Sequence, residues 1–214
     1  MTHIVHPYSF RLGILRNWKS RWFDVKDFKK FLKGDVLARE WLEERTRGMY
    51  VDSIEIERSK DVIRIIIKTS RPGLLIGRKG EGIEKIKKET EKFFKKAGIS
   101  GTYRKIEFVV EEVVKPEMQS AIVAQMMAES LEKRFPFRRV MKQTIEKVMA
   151  NRGVKGVKVV LSGRLGGAEM SRREWLSQGK MPLQTLRADV DFAKARAHLP
   201  YGDIGVKVWI YKEE

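Results

Sequence analysis

Residues 76 to 83 read Ile-Gly-Arg-Lys-Gly-Glu-Gly-Ile, and this string constrains its surroundings more than any other stretch of the 214-residue chain. Gly77 and Gly80 bracket two adjacent cations, Arg78 and Lys79, with Leu74, Leu75 and Ile76 before them and Ile83 and Ile86 after. Without a Cβ, the backbone at Gly77 and Gly80 can turn sharply and approach another chain closely. Two adjacent positive charges at a turn tip repel unless an anion lies between them.

The flanks say what this turn joins. Upstream, Asp24 or Asp27 can start a helix, with Phe28, Phe31, Leu32, Leu37, Trp41 and Leu42 at helical spacing. Gly34 is expected to interrupt that helix and Gly48 to end it, and its mixed charges read as a solvated face. Val51 to Glu57 alternates and Val62 to Lys68 is nearly continuous in β-branched residues, so both read as strands, with Ser59-Lys60-Asp61 as the turn. A short helix follows Arg71-Pro72-Gly73 and reaches Ile76. A second runs from about Glu81 to Lys96 and stops at Gly98; Tyr103 to Glu112 reads as a third strand. The order is helix, strand, strand, helix, glycine loop, helix, strand. With Gly77-Arg78-Lys79-Gly80 between the two helices, this resembles a type II KH domain, whose G-x-x-G loop clamps about four nucleotides of single-stranded RNA.

Charge points to the same partner class. Forty-five Lys and Arg against 28 Asp and Glu give a formal charge of +17. Such an excess opposes compaction unless a polyanion neutralises it, which favours nucleic acid or an acidic membrane surface. No apolar run approaches the ~20 residues needed to span a bilayer, and the first residues lack the pattern of a signal peptide, so no membrane partner is expected. Cysteine is absent, which excludes disulfides and thiolate zinc sites and fits a cytoplasmic chain.

Residues 1–23 are basic and aromatic without periodicity and read as an N-terminal arm. It either stacks on bases and contacts phosphate through Arg11, Lys19 and Arg21, or straps the chain's own core. The KH-like region spans 24–113, Val113-Val114-Lys115-Pro116 forms a junction, and a C-terminal α+β domain occupies 117–214. There, a helix over 117–133 and another that opens after Phe137 and runs to about Ala150 precede period-two runs at Val157–Ser162, Leu186–Phe192 and Ile204–Tyr211. That pattern predicts two helices covering one face of an antiparallel sheet. The fold class is therefore α+β.

Two further basic groups stand out. Arg138, Arg139 and Lys142 open the second of these helices, one turn apart, where cations oppose the helix dipole. A bound phosphate chain would reverse the sign of that conflict; a merely solvated basic face is the alternative. Ser162 to Arg173 joins a glycine turn to Arg164, Arg172 and Arg173, which suit phosphate forks and base stacking, although the glycines alone would also suit a hairpin loop.

Several stretches together resemble the third-protein family of the bacterial small ribosomal subunit. They are Arg11-Leu12-Gly13-Ile14, Ser20-Arg21-Trp22-Phe23, the Gly77–Gly80 loop, Arg138-Arg139, Val160 to Glu169, Thr185 to Asp189 and Gly205 to Ile210. The resemblance implies a ribosomal protein of the subunit head that holds small-subunit rRNA and touches neighbouring ribosomal proteins. It further implies contact with mRNA at the channel where message enters, through Arg138, Arg139 and Lys142, and help in unwinding structured message. A free-standing KH regulator is the rival.

No enzyme is expected, and no cofactor, metal or small-molecule substrate. His3, His6 and His198 lack metal spacing, and there is no nucleotide-binding Gly-x-x-x-x-Gly-Lys-Ser/Thr loop. Asp189 and Asp191 fall on one strand face with Arg187, where ion pairing is favoured over Mg²⁺.

Overall fold

The computed structural model describes residues 5–59, 62–96 and 105–213. The expected turn residues Lys60 and Asp61, the helix stop at Gly98 and the strand start at Tyr103 lie outside the described residues. By its internal contacts the chain divides into two units: Trp18–Val114, and Met1–Asn17 together with Lys115–Glu214.

Residues 5–17 therefore belong with the C-terminal half. Pro7–Phe10 makes one helical turn, α1, and the His6 Nδ1 accepts the Tyr8 N–H at 3.2 Å. Arg11 follows it and is fully buried. Its Nε donates to the Ala188 carbonyl at 2.6 Å, Nη1 to Pro7, and Nη2 to Pro182, Leu183 and Thr185. Tyr8 Oη donates to the Asn17 carbonyl at 2.7 Å. Where the sequence suggests one arm over 1–23, the structure splits it, because the Arg11 Nε and Nη2 donors are satisfied by the 182–188 loop.

After Asn17 the chain enters the other unit. Ser20–Arg21 (β1) pairs parallel to Val51–Arg58 (β2). Between them runs one helix, Phe28–Arg45 (α2), which is unbroken at Gly34 and ends before Gly48. The reason is tertiary: Gly34, Asp35, Ala38 and Leu42 form its buried stripe. Asp35, fully buried, is not part of a solvated face. It accepts from the Trp22 indole N–H at 2.7 Å and pairs with the Arg58 guanidinium at 2.6 Å. Arg58 also lies 5.0 Å from the Phe31 ring centroid.

Val62–Thr69 (β3) runs antiparallel to β2, and Lys105–Glu112 (β4) runs parallel to β3. Pro72–Ile76 (α3) and Glu81–Lys96 (α4) lie between β3 and β4 in sequence. Ile54, Ile56, Ile63, Ile65, Ile67 and Ile106 from the strands meet Leu42, Leu75, Ile86 and Phe94 from the helices in one core. The strand residues pointing the other way are charged and interleaved by sign. Glu55 takes both Arg21 and Lys68 at 2.7 and 2.9 Å, and Lys105 holds Glu107 at 2.7 Å. Hydrogen bonding to Glu55 raises the Lys68 ammonium above its ordinary pKa, and hydrogen bonding to Lys105 lowers the Glu107 carboxyl.

The other unit continues with Ser120–Glu132 (α5) and Phe137–Met149 (α6). They cover one face of a four-stranded antiparallel sheet made of Val154–Gly163 (β5), Arg172–Gly179 (β6), Val190–Leu199 (β7) and Gly202–Lys212 (β8). The strand order is β6-β5-β8-β7. Met127, Leu131, Met141, Ile145 and Val148 of the helices pack on Val157, Val159, Leu161, Val206 and Val208.

Two expectations shift here. β6 falls where the sequence reading assigned no strand, since Arg-Arg-Glu-Trp-Leu-Ser-Gln-Gly is a mostly exposed edge strand poor in β-branched residues. β7 begins at Val190, so Leu186 to Asp189 precede the strand. Asp189 and Asp191 are ion-paired, with Arg16 and Lys212 respectively rather than with Arg187.

Candidate nucleic-acid surfaces

The glycine loop is shaped by close backbone approach. Gly77 has φ +71°, and a Cβ there would meet the Gly82 nitrogen at 2.9 Å. A Cβ on Gly82 would meet the Leu75 carbonyl oxygen at 2.6 Å. Gly82, which the sequence reading left without a role, thus locks α3 against the start of α4. Arg78–Gly80 forms a 3₁₀ turn in which Lys79 adopts φ +53°, left-handed for a residue with a side chain. Such a conformation costs about 1–2 kcal/mol and clusters at functional sites. Arg78 and Lys79 are both exposed. The loop therefore offers two cations and free backbone at the head of α4.

The basic groups at 138–142 and 162–173 meet in one place. The N-cap of α6 is Pro136, no side chain caps this end, and its first turn holds no acid. Val140, Met141, Ile145 and Val148 anchor the helix, leaving Arg138, Arg139 and Lys142 exposed. Phe137 is half-buried beside the 3₁₀ turn Leu165–Gly167, within 3.8 Å of where a Gly166 Cβ would stand. The Arg138 and Arg172 guanidinium carbons lie 5.7 and 5.6 Å from the Phe137 ring centroid. Glu174 is shared by the same two arginines, at 3.6 and 3.1 Å. Among the described residues Arg139 and Lys142 have no ion pair, so this corner carries a surplus of positive charge beside an uncapped helix N-terminus.

The other expected RNA contacts are divided. Arg11 is corrected: with its guanidinium enclosed by five carbonyls it has no surface to offer phosphate, and burial lowers its pKa against the opposing pull of Asp189. Arg164 donates to the Ala168 and Tyr201 carbonyls at 3.0 and 3.2 Å and staples its own loop. Arg21 is held by Glu55 and Glu57 at 2.7 and 2.8 Å. Lys19 is half-buried, and its carbonyl accepts the Ile56 N–H at 2.8 Å. Arg172 and Arg173 remain at the surface. Among the described residues no group of His, Asp and Glu is placed to hold a metal ion.

The fold and its basic surfaces define a two-part α+β RNA-binding protein with an N-terminal KH module. Residues 38–118 match the KH domain model, and residues 127–210 match the model of ribosomal protein S3, C-terminal domain. The chain is 45% identical to small ribosomal subunit protein uS3 of Endomicrobium trichonymphae, over 100% of its own length and 89% of the relative's. It is 47% identical to uS3 of Koribacter versatilis, over 98% and 90%. To uS3 of Caldicellulosiruptor saccharolyticus it is 46% identical, over 97% and 90%. The chain belongs to the uS3 family, whose members are structural ribosomal proteins and not enzymes.

Proposed function

We propose that this chain is a structural component of the small ribosomal subunit, seated in the head in the cytoplasm. There it binds small-subunit rRNA, touches neighbouring ribosomal proteins and contacts mRNA where message enters. The observation that carries the mRNA part is the α6 corner. Arg138, Arg139 and Lys142 crowd the first turn of a helix whose dipole already favours an anion, and Arg172 extends the same positive surface. A stable isolated protein gains nothing from this placement, whereas a phosphate backbone passing over it is attracted by every group.

Unwinding in this reading is passive. Cations capture phosphates of strands that open thermally and bias the duplex towards the open state, with no nucleotide hydrolysed. Gly77, Arg78, Lys79 and Gly80 supply a second RNA contact through the exposed loop tip, and Arg173, on the other face of β6 from Arg172, a third. The test is sucrose-gradient sedimentation of the tagged chain from cells. Co-migration with small subunits supports the reading; a chain found mainly away from them, as a free KH regulator would be, overturns it.

A further inference from the structure

On the faces that their helices leave open, the N-terminal sheet is charge-balanced and the C-terminal sheet is not. On the N-terminal sheet, Arg64 stands between Glu57 and Glu107, and Lys68 between Glu55 and Glu111. On the C-terminal sheet, alternation puts Lys158 of β5, Arg173 and Trp175 of β6, Lys194 and Arg196 of β7 and Lys207 of β8 on the face away from α5 and α6. None of these cations has an ion pair among the described residues. The carboxylate on that face, Asp203, lies at the far end of β8 and is bonded to His198 at 2.7 Å.

Register fixes the layout. Trp175, Val160, Lys207 and Lys194 form one row across all the strands, and Arg173, Ser162, Gly205 and Arg196 form the next. Lys194 and Lys207 are direct cross-strand partners, and like charges placed so are destabilising. Only an anion between them reverses that sign. The Trp175 residue is 59% exposed, and the Lys158 ammonium lies between the Trp175 and Trp209 rings at 5.5 and 5.8 Å. The far part of the face is closed by the N-terminal segment, where the His6 ring meets Phe192 edge-on at 4.8 Å. Along the row from Trp175 to Lys194, about three strand spacings or ~14 Å, Trp175 and Lys194 are exposed, Lys207 is half-buried and Val160 is buried at 1%. An aromatic side chain exposed on a four-stranded sheet can stack on a base of single-stranded RNA.

We propose that the open face of the C-terminal sheet is a further binding site for single-stranded RNA. Trp175 stacks on a base, and Lys207, Lys194 and Arg196 hold the phosphates that follow it. The site rests on the RNA-binding part of the reading above but is separate from α6 and the glycine loop. An acidic protein would match the charge, yet would leave no role for an exposed indole flanked by cations.

The experiment measures binding of a fluorescein-labelled oligouridylate to the full chain across a salt series, with unfolding midpoints recorded alongside. Trp175→Ala is expected to weaken binding roughly 5- to 150-fold, the range for loss of one base stack, with Trp175→Phe restoring most of it. Joint Lys194→Gln, Arg196→Gln and Lys207→Gln is expected to reduce the salt slope by about 2, at ~0.7 per phosphate contact. Wild-type affinity and slope in all of these variants would overturn the proposal. Were Arg138→Ala, Arg139→Ala and Lys142→Ala alone to lose binding, the α6 reading would stand and this one would fall. A photocrosslinking residue at position 175 in isolated small subunits gives a second readout: crosslinks to RNA support the site, and crosslinks only to protein refute it.

Discussion

Gly77 and Gly82 approach so closely that a Cβ on the first would stand 2.9 Å from the backbone nitrogen of the second. The contact joins the end of α3 to the first turn of α4 and fixes the direction in which Arg78 and Lys79 project. Gly82→Ala must push the helix off the Leu75 and Ile76 carbonyl oxygens, which stand 2.6 and 2.9 Å from its Cβ. We expect the N-terminal unit to lose about 1–3 kcal/mol, the usual range for overpacking, together with RNA binding at the loop. Gly80→Ala, whose Cβ meets open space but whose φ is +86°, should lose only about 1–2 kcal/mol through backbone strain. Urea unfolding of both variants checks the order.

Asp35 and Arg58 form an ion pair inside the N-terminal unit, with side chains 0% and 4% exposed. Removing one partner strands the other's charge. Asp35→Leu alone should therefore destabilise by about 3–5 kcal/mol, and adding Arg58→Met should recover most of the loss. Equal destabilisation in the single and double variants would show that the pair acts through packing instead.

Arg11 gives a test that separates fold from binding. Replacing it with Ala removes five hydrogen bonds to carbonyls and leaves those acceptors buried. A loss of about 2–4 kcal/mol is expected, with no change in the salt slope of RNA binding. Arg11→Lys should rescue little, because a point charge lacks the guanidinium fork. A reduced slope with unchanged stability would instead make Arg11 a phosphate contact.

Asp191 sets part of the acid limit. Burial acts to raise its pKa, but the Lys212 ammonium and the Ser120 N–H, which donates at 2.9 Å, outweigh it and hold the carboxyl below its ordinary value. A folded pKa below the unfolded one adds stability that is fully present above about pH 3.9 and is lost as pH falls through the folded value. Asp191→Asn should lower stability at neutral pH and flatten the acid limb below about pH 4. Matching limbs in wild type and variant would remove Asp191 from the account.

Much of the fold is written in local patterns. The β-branched run of β3, the alternation of β5 and β8 and the stripes of α4 and α6 each carry their own period. The glycine loop could be placed because strands and helices of clear pattern flank it. What the sequence hides is tertiary. Gly34 looks like a break, yet α2 continues because Asp35 behind it is tied to Arg58 and Trp22. β6 lacks strand propensity and owes its state to pairing with β5. Arg11, Arg21 and Arg164 look like RNA contacts by type alone; only the fold shows carbonyls or carboxylates taking their donors. For α6, Arg138, Arg139 and Lys142 are legible as cations at a helix start, but nothing in the spacing reveals that Phe137 and Glu174 join them to Arg172.

We propose that the α6 cations handle message, and this can be tested directly. Small subunits carrying Arg138→Ala, Arg139→Ala and Lys142→Ala should assemble normally, because none of the three side chains is buried. The decisive measurement is the translation rate of two messages that differ only in a stable hairpin downstream of the start site. We expect unchanged translation of the open message and slowed translation of the structured one. Equal rates of wild-type and variant subunits on the hairpin message would contradict it.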